Sequence, residues 1–266
     1  MRHMQDNARA GWLPVTSTSE LALAHFERGR AAAHHYQFEA ARDHLDAALA
    51  LDPTFVLALL HRGGSADDPD EARAYLESAA ANRLRASVDE GRMIDAFRAF
   101  LLDRDHQRAI EILLELSASY PGDPYVPSYI GLRYYRNLQR YPEATDQFRQ
   151  ALERDPEFVQ ALNWLGHIAL DQGDLATAEA TFERYAALAP GEPRPHDSLG
   201  VLYLRQGRFE EAIRAFEAAL ARDARFVESR SNLERARVAR AQARALAEAR
   251  RVGADADTAP PRDDQG

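Results

Sequence analysis

The stretch LGHIALDQGDLATAEATFERYAALAP, Leu165–Pro190, is followed by LGVLYLRQGRFEEAIRAFEAALARDA, Leu199–Ala224. Leu, Gly, Leu, Gln, Gly, Ala, Phe and Glu return in the same order, each 34 residues further on. A fixed period of this length marks stacked supersecondary units, and it is sought before any other pattern. The most persistent marker is an alanine with a large apolar residue four positions later: Ala41/Leu45, Ala72/Leu76, Ala109/Leu113, Ala144/Phe148, Ala178/Phe182 and Ala212/Phe216. A glycine stands 12 or 13 residues before the alanine in four of the six units, at Gly29, Gly131, Gly166 and Gly200. A proline follows 12 residues after it at Pro53, Pro121, Pro156 and Pro190.

Each marker has a physical role. Gly and Ala suit the close crossing of two helices, where a larger side chain forces them apart. The Phe or Leu one turn later fills the layer beside that crossing. Gly173 and Gly207 are predicted at the turn inside the hairpin, in the left-handed conformation that ends a helix. Proline stops the second helix. A single hairpin cannot cover its own apolar face, so hairpins stack. The pattern resembles the tetratricopeptide repeat family. Leu199, Gly200 and Tyr203 match its Leu-Gly-x-x-Tyr, Ile130, Gly131 and Tyr134 come close, and the Ala-x-x-x-Phe half is met in the last three units. The resemblance covers roughly residues 18 to 250. It implies an all-α, right-handed α-solenoid of about six helix-turn-helix units with a C-terminal capping helix.

The organisation expected is an N-terminal extension over 1–17, an array over 18–226, a cap over 227–251 and a disordered acidic tail over 252–266. The units are about 22–55, 56–86, 87–123, 124–158, 159–192 and 193–226. The second is degenerate, its first helix breaking at Gly63–Ser65 and its second starting at Asp68 as N-cap, with Pro69 and the capping partner Glu71. The third carries Phe97 where the small glycine belongs, so its hairpin is expected to spread or shift. Ser87/Glu90, and Ser17/Glu20 ahead of the first helix, read as capping boxes.

Composition narrows the chemistry. Cysteine is absent, and with it disulfides, thiolate catalysis and Cys-based zinc sites. All 33 basic residues are Arg, which a GC-rich coding sequence explains. The net charge of -9 argues against a general nucleic-acid footprint. No 18-residue apolar run occurs, so no transmembrane segment is expected. "MRHMQDNARAGWLP" shows no apolar signal region, although the following "LPVTSTSELALAHFERGRA" resembles a group of uncharacterised exported bacterial repeat proteins; periplasm and cytoplasm both stay open. Without a phosphate loop, a nucleophile elbow or metal-ligand spacing, no catalytic residue, metal or cofactor is expected, and the chain reads as a non-enzyme. The run Asp67, Asp68, Asp70 and Glu71 lacks a calcium loop and suits a helix N-terminus. Between Arg225 and Arg251 eight Arg and three Glu give the cap helix a local charge of +5, read as a solvated end piece.

The resemblance implies a protein- or peptide-binding scaffold whose ligand groove is lined by the first helix of each hairpin. Counted from the motif glycine, this selects Tyr125, Ser128, Leu132, Tyr135 and Arg136 in the fourth unit. It selects Gln160, Asn163, His167, Leu170 and Asp171 in the fifth, and Arg194, Asp197, Val201, Leu204 and Arg205 in the sixth. Asn163 hydrogen bonds and Tyr125/Tyr135 contacts are expected to hold an extended peptide, with Arg194 and Arg205 favouring an acidic stretch. A wetted surface or packing between repeats remains the competing reading of the same positions. A regulatory subunit of an enzyme complex and a self-assembling structural protein are the alternatives in function.

Overall fold

A computed structural model of the chain describes residues 11–66 and 68–257, with side chains to Arg251. These residues form thirteen α-helices and one 3-10 turn, Arg83–Arg85, and contain no strand. The fold is all-α and its unit is the antiparallel hairpin. The chain divides at Gln172/Gly173 into two compact bodies. The first holds α1 (Glu20–His34), α2 (Phe38–Leu51), α3 (Val56–Gly64), α4 (Pro69–Ala81), α5 (Val88–Leu101), α6 (His106–Ser119), α7 (Tyr125–Arg136), α8 (Tyr141–Arg154) and α9 (Val159–Gln172). The second holds α10 (Leu175–Leu188), α11 (Pro193–Arg205), α12 (Phe209–Arg222) and α13 (Val227–Asp257).

The hairpin crossings obey the expected markers. A Cβ built on Gly29 would lie 2.9 Å from Leu45 Cγ, one on Gly131 3.0 Å from Phe148 Cζ, and one on Gly200 2.5 Å from Phe216 Cε1. The alanines Ala41, Ala144, Ala178 and Ala212 are fully buried. Pro53, Pro121, Pro156 and Pro190 each stand two residues beyond the end of α2, α6, α8 and α10.

The two irregular units resolve by a change of register. In the second, Gly63 is the crossing glycine: its Cβ would lie 3.0 Å from Tyr75 Cβ and 3.1 Å from the Ala72 carbonyl oxygen. The connection to α4 is short, so the glycine precedes Ala72 by nine residues and reads in sequence as a break. In the third, the hairpin is not spread. The small residue is Ala96, 1% exposed and thirteen before Ala109, the spacing that Gly131 keeps to Ala144. Phe97 turns aside and meets the Tyr129 ring edge-on at 6.0 Å.

The helix starts were partly legible. Ser87 and Glu90 form the full capping box. Asp68 caps α4 with Pro69 in the first turn, but it accepts from Asp70 N, and Glu71 accepts from Arg62 instead. For α1 the cap is Ser19, which accepts from Ala22 N, whereas the Ser17 hydroxyl donates to Asp52 at 2.7 Å. At the other end α13 continues to Asp257, so residues 252–257 of the expected tail are helical and Arg250 and Arg251 do not sit at a helix terminus. Residues 258–266 of that tail lie outside the described residues.

Candidate functional site

The first body draws side chains from helices far apart in sequence into one interior. Arg30, 6% exposed, places its guanidinium 4.4 Å from the Tyr125 ring centre, 5.2 Å from Trp12 and 5.4 Å from Phe26. Glu27, one turn earlier on α1, neutralises it at 2.7 Å. Tyr125 also meets Phe158 edge-on at 5.2 Å, and burial pushes its phenol up to about 12. His34 stacks 4.0 Å from Phe158, and its imidazole is lowered to about 3 by that burial and then by His35. His61, between Phe26 and Tyr129, is likewise lowered to about 3, by burial first and by Arg30 second. Asn163, 2% exposed on α9, donates through Nδ2 to the Tyr36 hydroxyl at 2.9 Å across 127 residues of sequence.

An extended segment, Gly11–Ser19, runs beside this interior and crosses the N-terminal ends of three helices. Gly11, at φ +79°, accepts from Gly122 N through its carbonyl at 2.8 Å. Leu13 N donates to Asp123 ahead of α7 at 3.3 Å, Thr16 N to Glu90 in the first turn of α5 at 2.8 Å, and Thr18 N to Asp52 ahead of α3 at 3.0 Å. The three carboxylates are buried. Burial raises Glu90 and Asp123 above their ordinary range. At Asp52 burial is outweighed by hydrogen bonds from Ser17, Thr18 and Thr54, and the net shift is downward. The segment treated in sequence as an extension is thus a strap seated on the body.

The expected groove residues of this body meet different fates. Tyr125 and Asn163 are engaged inside the chain, so the bonds expected toward a ligand go to Arg30 and Tyr36. The Ser128 hydroxyl donates to Gln160 Oε1 at 3.1 Å, bridging α7 and α9. Leu170 is buried and Leu132 packs against the core. Tyr135, Arg136, His167 and Asp171 gather near the C-terminal ends of α7 and α9 and keep exposed surface. The Tyr135 hydroxyl donates to Asp171 at 2.7 Å. Trp164 joins them, 5.6 Å from Tyr135 and 6.1 Å from His167, with the Arg136 guanidinium 5.8 Å from its ring. Sequence reasoning missed Trp164 because it lies one residue off the groove spacing. Arg30 and the strap left no repeat signal at all, because neither is periodic.

In the second body Asp197 accepts from Ser229 at 2.7 Å and from Asn232 at 3.2 Å, tying α11 to α13. Arg194 lies 5.4 Å from the Phe226 ring, Val201 and Leu204 pack beside the α12–α13 core, and Arg205 is exposed. The cap arginines are extensively paired: Arg237 with Glu217 and Glu234, Arg240 and Arg244 with Glu210. Among the described residues no three His, Asp or Glu side chains converge as a metal site, and no helix is long and apolar enough to cross a membrane.

Stacked hairpins of about 34 residues, with glycine–alanine crossings and no converging catalytic group, define a helical-repeat interaction protein. Residues 132–193 and 193–226 match models of the tetratricopeptide repeat, and the chain is a tetratricopeptide repeat protein. It is 32% identical over 93 residues to the general transcriptional corepressor ssn6 of Schizosaccharomyces pombe, covering 34% of this chain and 8% of that protein. It is 31% identical over 148 residues to the ESX-5 secretion system protein EccA5 of Mycobacterium tuberculosis, covering 52% of this chain and 24% of that protein. The chain therefore spans a quarter or less of these relatives. Among solved structures it resembles the APC/C hetero-tetramer Cut9–Hcn1 (TM-score 0.55, 18% identity, 81% of this chain, 42% of the other). It also resembles the type IV pilus biogenesis factor PilW (0.53, 15%, 81%, 100%) and MamA from Desulfovibrio magneticus RS-1 (0.52, 22%, 61%, 91%), in fold alone. The fold supports a protein-interaction scaffold in general.

Proposed function

We infer that the chain is a non-catalytic scaffold that binds a protein partner through first-helix surfaces. The observation that carries this is the patch formed by Tyr135, Arg136, Trp164, His167 and Asp171. Aromatic rings with a cation over one of them stay accessible there, and Trp, Tyr and Arg are the residue types that dominate binding energy at protein interfaces. Arg194 and Arg205 of the second body add cationic groups that suit an acidic stretch of a partner. Tyr125, Asn163 and Asp197 act indirectly, by holding their helices in register. The relatives point the same way, since their names describe a secretion system component, a corepressor and a subunit of a hetero-tetramer. Because the chain has no Lys, photo-activated cross-linking from a residue beside Trp164 is the suitable capture. The proteins trapped by the parent should be lost with Tyr135→Ala/Trp164→Ala at an unchanged far-UV signal. Retention of every trapped protein by the double variant overturns the assignment of this patch.

A further inference from the structure

The strap is held as a bound peptide is held. Its backbone N–H groups at Leu13, Thr16 and Thr18 donate to side-chain carboxylates on three different hairpins, and no strand ladder fixes it. Trp12 lies against Arg30 at 5.2 Å and meets Tyr125 edge-on at 6.0 Å, and Leu13 is 7% exposed. The Ser17 and Thr18 hydroxyls donate to Asp52 at 2.7 and 3.2 Å. Main-chain donors supply affinity in such a seat, while the aromatic, aliphatic and hydroxyl positions supply selectivity. The seat itself is built without the strap's help: Asp123 also accepts from Tyr125 N at 2.8 Å, Glu90 from Ser87 N at 2.7 Å, and Asp52 from Thr54 N at 3.1 Å. Three buried carboxylates directed at one extended segment would repel an acidic one.

We propose that this seat is a second peptide-binding site, closed in cis by residues 11–19 and opened when a partner protein's extended segment displaces them. The segment it takes carries an aromatic–aliphatic pair followed, five and six residues after the aromatic, by hydroxyl side chains, with no acidic group between. The site shares no residue with the Tyr135–Trp164 patch, so either assignment can fail without the other.

The probe is a synthetic peptide of residues 9–20, RAGWLPVTSTSE. A ligand for a site open only part of the time binds more weakly by the open fraction. The full-length chain carrying Trp12→Ala/Leu13→Asp, which loosens its own strap, should therefore bind the labelled peptide at least about tenfold tighter than the unaltered chain. The same peptide N-methylated at the nitrogen that meets Glu90 should lose about tenfold in affinity for the loosened chain, because a buried carboxylate is left short of a donor. Equal and negligible binding by both chains, with the loosened one folded by circular dichroism, overturns the proposal. If the loosened chain fails to fold, hydrogen exchange in the unaltered chain decides. Saturating peptide should speed exchange at the amides of Leu13, Thr16 and Thr18, and unchanged exchange at millimolar peptide overturns the proposal. A concentration-dependent dimer of the unaltered chain with exchanged straps would make a second copy the occupant, and would overturn the distinct partner.

Discussion

Tyr36, Arg104, Gln139, Gly173 and Gly207 all have positive φ, and each stands five residues ahead of the crossing alanine of its hairpin. The turn demands a left-handed residue, and only two of the five are glycine. A side chain there costs about 1–2 kcal/mol, partly offset in glycine by its greater unfolded-state entropy. Gln139→Gly should therefore stabilise by about 0.5 kcal/mol, and Gly207→Ala destabilise by about 1 kcal/mol, in denaturant melts. Gly200→Ala, whose added Cβ meets Phe216, should cost about 1–3 kcal/mol by overpacking. Only the glycine turns were legible in the sequence, since Tyr, Arg and Gln give no local sign of a left-handed backbone. Titration gives another residue-level outcome. Burial lowers His34 and His61 to about 3 in the folded chain, against about 6.5 unfolded. Between those values the unfolded chain binds more protons, so stability falls as pH drops below 6.5. The slope is up to about 1.4 kcal/mol per pH unit for each imidazole. Glu90 and Asp123, raised by burial, oppose this, because the folded chain takes their protons more readily. Thermal melts from pH 7.5 to 5 should show the decline, and His34→Leu should flatten it; an equal slope in that variant would remove His34 from the account.

Among elements, the second hairpin departs most from its sequence reading. The weak joint was expected around residues 56–70, yet Val56, Leu57, Ala58, Leu59 and Leu60 of α3 are all buried. Its partner α4 buries only Leu76 and Ala79, and Leu84 just beyond it is fully exposed. Native-state hydrogen exchange should therefore be fast across α4 and the following turn and slow in α3; similar protection in the two would contradict the burial argument. The glycine pair at 63–64 looked like a break because a crossing glycine and a helix end fall on adjacent residues. One recurrent element escaped notice. Asp52, Asp155 and Asp223 each accept, through the side chain, from the backbone two residues on, and through the carbonyl from Phe55, Phe158 and Phe226. The sequences LDPTF, RDPEF and RDARF carry that turn in plain view. Helix existence was readable because periodicity reports burial. The end of α13 was not, because a helix of small and charged residues has no apolar stripe to stop.

At the scale of the whole molecule, a repeat array is held mainly by contacts between neighbours. The body up to Gln172 breaks that rule, through the strap, the Arg30–Tyr125 contact and the Asn163–Tyr36 bond. None of these was legible, since the residues they join have no shared period. This body should open as one unit, α1 and α9 exchanging with the same free energy. Asn163→Ala removes a buried hydrogen bond and should lower that free energy in both helices by about 1–2 kcal/mol. A loss confined to α9 would show that the bond does not couple them. The same long bonds bear on how such a gene can change. Repeat arrays grow and shrink by duplicating or losing whole hairpins. Here the strap spans a fixed set of helix ends, with Asp52, Glu90 and Asp123 as its marks, so it works as a gauge of hairpin number. Losing or adding a hairpin between α3 and α7 leaves the marks out of step with the strap. No bond of that kind is drawn among α10 to α13, where units meet only their neighbours, and lineages of this protein should vary in length there while keeping the hairpin count under the strap constant.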